Sequence, residues 1–346
     1  MSGPIRVGVI GAGAIAQVAH LPALSRMDEF DIVAICDNDL SKARSLAARL
    51  EVAESYDDIE DLLVHTHPDA VVVCTPNHLH EAHVKTALSA GAHVLCERPL
   101  GISVAGVQDL IAAQQRADRA VLVGMHHRFR SDVQAIKQFI DGGELGTVHA
   151  IRCGWYTFKP PRQALGWRGH MAQAGGGAML DLGIGLIDLS LWLLDWPRPL
   201  HVSASFGPAD RKTDSVESSA CAVISCDGGA AVVVDVSWRY VGESERYWFE
   251  VMGAAGSGRI APLAVFKELN GSPVNVTPTG ASEGKSAYSA AYAAQWAHFG
   301  AMIRGEVDRA DLTEQLAVHR VMEGVYRAAA TGQPITFERS GWGSSD

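Results

Sequence analysis

The first 125 residues alternate short apolar runs with longer helical patterns, and this alternation restricts the fold more than any other feature. The runs are continuous in hydrophobicity, as in parallel strands that are covered on both faces. They lie at 5–10, 31–36, 70–74, 92–96 and 120–124. Residues 104–118, between two of the runs, place their apolar side chains on one helix face. The pattern predicts βαβ units and a doubly wound parallel sheet, which is an α/β architecture.

A glycine-rich turn joins the first run to the first helical segment. Gly11 permits a tight turn, Gly13 lets the backbone approach a ligand, and Ala16 is small enough for close helix–strand packing. Ala14 and Ile15 would open the helix, whose first N–H groups can bind phosphates. In this strand–turn–helix context, the pattern predicts a dinucleotide site; the alternative is a tight turn that binds nothing.

An acidic residue ends the second apolar run. Asp37 lies about 20 residues beyond the glycine turn, which is the usual spacing for the acid that binds the adenine ribose. Its carboxylate can accept hydrogen bonds from both ribose hydroxyls and would repel a 2′-phosphate. The sequence therefore favours NAD over NADP.

Composition argues against several classes of protein. The chain has 29 basic and 39 acidic residues and a formal net charge of −10, which disfavours a nucleic-acid partner. A hydrophobic share of 47% and a charged share of 20% are typical of a globular protein and not of a disordered one. The longest apolar segment, 180–194, contains Asp181 and Asp188, so we expect no membrane span.

Cysteine usage and the N-terminal sequence indicate a reducing compartment. The six cysteines show no CxxC pair and no metal-ligand spacing, so we expect buried thiols and no metal. The first residues run directly into an apolar strand and leave no room for a signal peptide. We therefore expect a cytoplasmic location.

The pattern changes after residue 125, which predicts two domains, 1–125 and 126–346. Residues 230–240 alternate apolar and polar side chains and predict a half-buried, antiparallel strand. Further strands are expected at 148–154, 201–206, 218–226, 246–252 and 258–266. Helices are expected at 131–142, 178–195, 289–304 and 313–331. Residues 267–287 are rich in Gly, Ser, Pro and Asn and predict a long loop, so the second domain is of the α+β type.

Several motifs, in order along most of the chain, resemble the Gfo/Idh/MocA oxidoreductases, which include glucose–fructose oxidoreductase and inositol dehydrogenase. They are VGVIGAGAIA with HLPAL, CTPNHLHEAHVKTALSAGAHVLCERPL, GMHHRF with GGELG, and GGGAMLDLGIGLIDLSLWLL. The resemblance implies an N-terminal Rossmann domain and a C-terminal domain with a large, mostly antiparallel sheet. That sheet often forms the oligomer interface in the family, so a homodimer or homotetramer is expected.

The resemblance also implies roles for individual residues. Thr75, Pro76, Asn77 and His80 would lie near the nicotinamide half of the cofactor, at the carboxyl end of a strand. For His80, a capping or solvated position is the alternative. Glu97 would hydrogen-bond the nicotinamide ribose.

A further histidine lies in the GMHHRF motif. His126 stands where the family often has asparagine, and it would shape the nicotinamide or substrate pocket. A structural role is the alternative.

Two positions depart from the family's catalytic pattern. Arg98, beside the cofactor site, replaces the lysine of Glu-Lys-Pro; arginine stays protonated, so it can hold a substrate oxygen but cannot be a general base. Gly185 replaces the histidine of Asp-x-Gly-x-His, whose aspartate is Asp181. Both of the family's usual proton carriers are therefore absent.

Four residues could replace these proton carriers. His170 precedes Asp181 on the segment that leads into the same helix, although a loop histidine is often only solvated. Asp181 could itself be the base, or it could orient Arg98. Tyr156 and Lys159, in GWYTFKPP, are further candidates.

Substrate contacts are expected from Trp167 and Arg168, and from the segment that contains Asp181 and Gly185. An aromatic face beside a fixed cation suits sugars and anionic polyols, although the aromatics could also be interface residues. The run 175–177 consists of three glycines and could let the backbone approach a ligand.

The sequence therefore predicts an NAD-dependent oxidoreductase that transfers a hydride between the nicotinamide and a sugar, cyclitol or related polyol. One alternative is an enzyme that retains NAD and uses transient oxidation for epimerisation, elimination or glycoside cleavage. The other is a catalytically silent dinucleotide or metabolite sensor.

Overall fold

The computed structural model describes residues 3–158, 165–207, 215–278, 284–338 and 342. The chain divides into two compact units. The first comprises Met1–His126 and Tyr288–Gln315, and the second comprises His127–Ala287 and Leu316–Asp346. The division after residue 126 is one residue from the boundary that the sequence suggests. The membership of Tyr288–Gln315 in the first unit was not anticipated.

The first unit contains a six-stranded parallel sheet. Its strands are β1 (Ile5–Ile10), β2 (Phe30–Cys36), β3 (Glu54–Tyr56), β4 (Ala70–Val73), β5 (His93–Cys96) and β6 (Val121–Val123). Their spatial order is β3-β2-β1-β4-β5-β6, and every neighbouring pair is parallel. This order is that of the Rossmann fold, so the predicted doubly wound sheet is confirmed.

Helices cover this sheet. A π-helical turn, Ala16–His20, leads into α1 (Leu21–Leu24), and the other helices are α2 (Leu40–Arg49), α3 (Ile59–Thr66), α4 (Asn77–Ser89) and α5 (Val104–Ala117). Side-chain caps set several of the helix starts: Asp39 accepts from the Lys42 amide, and Ser103 accepts from the Gly106 amide. The continuous apolar runs are explained by this cover, because every residue of β4 is buried.

The second unit contains a nine-stranded sheet. Its strands are β7 (Val148–Tyr156), β8 (Pro199–Phe206), β9 (Ser219–Cys226), β10 (Ala231–Ser237), β11 (Arg246–Gly253), β12 (Gly256–Ile260), β13 (Ala264–Leu269), β14 (Ser272–Asn275) and β15 (Ile335–Thr336). Their order is β14-β13-β12-β11-β7-β10-β9-β8-β15. Only β7 and β10 are parallel neighbours among the described strands, so the sheet is mostly antiparallel, as predicted.

Two predictions for the second unit are wrong. The strand expected at 258–266 is a hairpin of β12 and β13, because Ala261 has a positive φ of 63° and Pro262 lacks the N–H that a continuous strand needs. The loop expected at 267–287 contains the end of β13 and the whole of β14, and helix α9 begins inside it. The second error comes from the exposed edge of the sheet, since β14 is exposed throughout and lacks the alternation of a half-buried strand.

The helices of this part of the chain are α6 (Ser131–Asp141), α7 (Met171–Ala174) and α8 (Ile184–Leu193), followed by α9 (Gly284–Arg304) and α10 (Leu312–Thr331). The helix expected at 178–195 is a π-helical turn, Met179–Gly183, that continues into α8. Among the described residues, Met171–Leu193 is long and apolar enough to cross a membrane, but 89% of its 18-residue apolar window is buried, as in the core helix of a folded domain.

The two faces of the nine-stranded sheet differ. Val232, Val234 and Val236 of β10 are buried, and α8 packs on this face, where Ser190 lies 3.9 Å from the Cys153 thiol of β7. Asp235 alternates with these valines and therefore points to the opposite face. We call these the helix face and the opposite face.

Helix α9 supplies aromatic side chains to the first unit from Tyr288 onward. Tyr292, Trp296 and Phe299 are almost fully buried, and Trp296 meets Phe30 of β2 edge-on at 5.2 Å between ring centroids. Gly300 lies against the same phenylalanine, since a Cβ there would be 2.9 Å from its ring. This aromatic stripe explains why α9 belongs to the first unit.

We expect the Arg128–Asp188 ion pair to matter for stability because Asp188 is only 1% exposed and accepts two bonds, at 2.8 and 2.6 Å. Asp188→Ala should lower the free energy of unfolding by about 3–5 kcal/mol, since it leaves the arginine without its buried partner. The matched control is Asp109→Ala, at an exposed pair with Lys85, which should cost less than about 1 kcal/mol. Urea unfolding followed by tryptophan fluorescence measures both, and equal losses would contradict the expectation.

Candidate functional site

The glycine turn after β1 leaves no room for a side chain at its first position. Gly11 has a φ of +97°, and a Cβ there would lie 2.8 Å from the carbonyl carbon and oxygen of Cys74. The Gly11 amide donates to the Cys36 carbonyl at 2.7 Å, which fixes the turn over the end of β2. Gly13 differs, because its Cβ would meet only the Cys74 oxygen, at 3.8 Å. The fold itself thus tolerates a side chain at Gly13, whereas a ligand in close contact with the backbone would not.

The carboxylate of Asp37 lies beside this turn and is 9% exposed. Its Oδ2 accepts from the Ala12 amide at 2.8 Å and from Lys42 Nζ at 2.9 Å, and its Oδ1 accepts from the Asp39 amide at 3.1 Å. Burial alone would raise the pKa of Asp37, but these donors outweigh it and lower the pKa. The acid is therefore an ionised acceptor next to the helix start, where Ala14 is exposed and Ile15 is half-exposed.

His80 braces two loops at the carboxyl edge of the sheet. Its ring is 1% exposed, with Nδ1 2.6 Å from the Pro99 carbonyl oxygen and Nε2 2.8 Å from the Thr75 carbonyl oxygen. A solvated position does not fit this burial, and both ring nitrogens contact backbone carbonyl oxygens of the two loops. Thr75, Pro76 and Asn77 themselves remain half-exposed at the start of α4.

Glu97 follows β5 and carries a buried charge, with an exposure of 8%. Its Oε1 lies 2.8 Å from His20 Nε2, and its Oε2 accepts from the Arg98 amide at 3.3 Å. Burial alone would raise the pKa of Glu97, but the His20 hydrogen bond and the nearby positive charge of Arg98 lower it to about 2. Glu97 is thus an ionised hydrogen-bond acceptor at any ordinary pH. Arg98 is half-buried.

His126 packs among tyrosines of α9. Its ring stacks on Tyr292 at 4.7 Å and meets Tyr288 edge-on at 5.3 Å, and only 3% of the residue is exposed. The sequence analysis did not identify these two tyrosines, nor His20 and Trp296, as parts of the cofactor half. The available signal was the aromatic spacing of α9, where Tyr288, Tyr292 and Trp296 follow at intervals of one helical turn.

In the second unit, Asp181 lies in the π-helical turn before α8. It is half-exposed, and its Oδ2 accepts from the Trp238 indole N–H at 2.9 Å. Trp238 is 2% exposed and continues the buried side of β10, so Asp181 lies on the helix face of the sheet. Gly185, two residues after this turn, is buried within α8.

A second acid holds the segment that carries Asp181. Glu217 accepts from the amides of Gly177 and Met179 at 2.9 and 3.0 Å and from the Tyr326 hydroxyl at 2.8 Å. A Cβ on Gly177 would lie 2.0 Å from the Glu217 carbonyl oxygen. The expectation that the run 175–177 admits a ligand is therefore wrong for Gly177, because Glu217 occupies that space.

Tyr156 lies on the opposite face of the nine-stranded sheet. Its hydroxyl donates to Asp235 Oδ2 at 2.6 Å, and burial together with this carboxylate raises its pKa to about 12. Strand alternation causes this placement, since Ile151 and Cys153 of β7 point to the helix face. Tyr156 and Asp181 are thus on different sides of the sheet, so the structure does not bring these two candidates together.

The remaining candidates lie before α7. His170 is exposed at the start of α7 and forms an isolated β-bridge with Ser215. The Arg168 guanidinium lies over the Trp167 ring at 4.4 Å, and both residues are half-exposed. The structure thus keeps the expected pair of an aromatic face and a cation. Lys159 lies outside the described residues.

The residues around the glycine turn fit a dinucleotide. Gly11 makes the turn, Gly13 has space that a ligand can use, and the exposed helix start provides amides for a pyrophosphate. Asp37 supplies the acceptor for ribose hydroxyls, and Glu97 supplies a second ionised acceptor on the same unit. The first unit thus presents two ionised carboxylates, the type of group that binds ribose hydroxyls in dinucleotide sites.

Comparison with known proteins agrees with this geometry. Residues 5–125 match the model of the oxidoreductase family with an NAD-binding Rossmann fold, and residues 133–259 match the GFO/IDH/MocA C-terminal domain. D-glucoside 3-dehydrogenase of Escherichia coli is 28% identical over 78% of this chain and 81% of its own length. Myo-inositol 2-dehydrogenase of Thermotoga maritima is 28% identical over 73% of this chain and 74% of its own.

A solved structure gives the same result. GenD2 from gentamicin A biosynthesis, in complex with NAD, superposes with a TM-score of 0.85 at 25% identity, over 98% of this chain and 97% of its own. The family models together cover more than half of this chain. The protein therefore belongs to the GFO/IDH/MocA family and is an NAD-binding oxidoreductase.

Proposed function

We propose that this protein is a dehydrogenase that uses NAD to interconvert a secondary alcohol and a ketone on a sugar, cyclitol or related polyol. The observation that carries the proposal is the bond from the Ala12 amide to Asp37, which holds an ionised acceptor beside a turn whose first position, Gly11, admits only glycine. The relatives named for a glucoside and for inositol support the substrate class.

The residues of the first unit would hold NAD, which supplies the hydride acceptor when it is bound. The turn at Gly11 and Gly13 would contact the pyrophosphate. Asp37 would accept from the adenine ribose, and Glu97 would accept from the nicotinamide ribose. Both carboxylates are already ionised and hydrogen-bonded, so little reorganisation is needed when a hydroxyl arrives.

Arg98 would bind the reacting oxygen of the substrate. A guanidinium donates hydrogen bonds but does not deprotonate, so it can stabilise an alkoxide and lower the pKa of the alcohol. It cannot accept the proton that the alcohol releases. A separate acceptor is therefore required.

We assign that acceptor to Asp181. The Trp238 indole fixes one of its oxygens, and the residue is half-exposed. Asp188, the other acid of the same segment, is 1% exposed and paired with Arg128, so it has no access to a substrate. His170 is exposed on a short helix and remains the second candidate. Trp167 and Arg168 would contact the ring and hydroxyls of the substrate.

A panel of glucosides, inositols and sugar alcohols tests the reaction. With NAD and the right substrate, we expect steady growth of NADH absorbance that depends on protein concentration. Product without accumulated NADH would instead show transient oxidation, as in an epimerase or lyase. Tight NADH binding without any product from the panel would favour a sensor and contradict the proposal.

Replacement of Asp181 tests the proton acceptor. Asp181→Asn keeps the size of the side chain and removes its basicity, so kcat should fall by about 10²–10⁴-fold while the Kd of NADH stays unchanged. The control is Asp235→Asn on the opposite face, which should leave kcat within a factor of about two. If the kcat of Asp181→Asn is unchanged, His170 becomes the candidate proton acceptor. The kcat of His170→Gln then tests that assignment.

Replacement of Asp37 tests the choice of cofactor. Asp37→Ser removes the charge that repels a 2′-phosphate and releases Lys42 to pair with one. The ratio of the Kd for NADPH to that for NADH should fall by about tenfold or more, which corresponds to about 1.4 kcal/mol. Adding Lys42→Ala should reverse most of this change. Fluorescence titration measures the constants, and a constant ratio would contradict the role of Asp37.

A further inference from the structure

We propose that His20 and Trp296 are positioning residues of the cofactor site, which hold Glu97 in place through a buried chain of hydrogen bonds. The inference rests on the proposed role of Glu97 as acceptor for the nicotinamide ribose. It adds two residues, 276 positions apart, to which neither the sequence motifs nor the comparisons assign a role.

The chain of contacts is continuous. Trp296 Nε1 lies 3.2 Å from His20 Nδ1, and His20 Nε2 lies 2.8 Å from Glu97 Oε1. Tyr292 adds a hydroxyl that donates to the same Glu97 oxygen at 3.3 Å. His20 and Trp296 have 0% exposure and Tyr292 has 1%, so no solvent competes for these bonds.

The direction of each hydrogen bond in this series follows from which groups can donate. An indole N–H only donates, so His20 Nδ1 must accept and the ring proton must lie on Nε2. His20 Nε2 therefore donates to Glu97 Oε1 and cannot act as an acceptor there. In this way, Trp296 selects the tautomer that holds the carboxylate.

The two carboxylate oxygens of Glu97 have different hydrogen-bond partners. Oε1 receives the two side-chain donors from the interior, whereas Oε2 receives only the long contact from the Arg98 amide at 3.3 Å among the hydrogen bonds of the described residues. An ionised carboxylate oxygen has two lone pairs, so Oε2 retains capacity for a ribose hydroxyl. Because its two interior donors hold Oε1 in place, the orientation of the carboxylate, and with it the position of Oε2, is fixed.

The local fold supports a functional role over a purely structural one. His20 ends the π-helical turn Ala16–His20, and such turns are frequent at functional sites. Burial of an imidazole, an indole N–H and a carboxylate also costs desolvation free energy that three apolar side chains would avoid. Gly124 leaves the space that the acid occupies, since a Cβ there would be 3.0 Å from Glu97 Oε1.

A pair of variants separates the hydrogen bond from packing. His20→Gln places an amide N–H near the former Nε2 position, whereas the shorter His20→Asn does not reach Glu97; both keep a polar side chain. We expect the Kd of NADH to rise by about tenfold or more for His20→Asn, because a bond to a charged acceptor is lost. His20→Gln should stay within a factor of about three of the wild type. Trp296→Phe should give an intermediate loss, since the ring of His20 can then change tautomer.

The pH dependence of NADH binding distinguishes a positioning role of His20 from a purely structural one. In the wild type, Glu97 has a pKa of about 2, so the Kd of NADH should not change between about pH 7 and about pH 5 through this group. In His20→Asn, burial raises the pKa of Glu97, and the carboxylate takes up a proton as the pH falls. NADH affinity should then weaken towards pH 5 in this variant alone.

Fluorescence titration of NADH into the intact protein measures the Kd of each variant. Thermal unfolding of the cofactor-free protein measures the stability of each variant in parallel. Phe299→Leu, on the same helix, should lower stability without changing the Kd. Glu97→Gln should abolish any further effect of His20→Asn, because the two act through one contact. A normal Kd for His20→Asn, or effects that add to those of Glu97→Gln, would overturn the inference. No NADH binding by the wild type would instead refute the proposed function.

Discussion

The hydrogen bond from the Ala12 amide to Asp37 connects the glycine turn to the end of β2, and the cofactor half of the protein depends on it. The turn follows from sterics, since Gly11 has a positive φ and lies against the Cys74 carbonyl. The position of Asp37 follows from electrostatics, since a buried carboxylate requires hydrogen-bond donors and the Ala12 amide of the turn supplies one. Each element thus satisfies a requirement of the other, and together they leave an ionised acceptor beside a helix N-terminus.

Glu97 applies the same principle with partners that are distant in sequence. A carboxylate that is 8% exposed is costly unless donors surround it, and here they come from the segment after the glycine turn and from α9. This requirement agrees with the placement of Tyr288–Gln315 in the first unit. Helix α9 supplies side-chain contacts that the Rossmann strands do not provide for this acid.

The sequence predicted the parts of the structure that depend on local patterns. The apolar runs placed five of the six parallel strands, and the glycine pattern and Asp37 do lie side by side, because both signals are contained in short segments. Strand β3 escaped notice because it has only three residues and none is buried. The contact between His20 and Trp296 could not be predicted from one sequence, because the residues are 276 positions apart and no local pattern indicates which distant segment packs against either of them. The face of Tyr156 was not predicted because the strand was expected to end at 154, whereas β7 continues to Tyr156.

The departures at Arg98 and Gly185 change how the acid–base work must be divided. A lysine can both hold the reacting oxygen and exchange its proton, whereas Arg98 can do only the first. A carboxylate is a weak base for an ordinary alcohol, but a fixed guanidinium at the oxygen lowers the pKa of that alcohol and so reduces the basicity that the acceptor needs. In the proposed reaction, arginine at 98 would hold the oxygen and Asp181, bonded to Trp238, would take the proton, so the proposal does not require a histidine at 185.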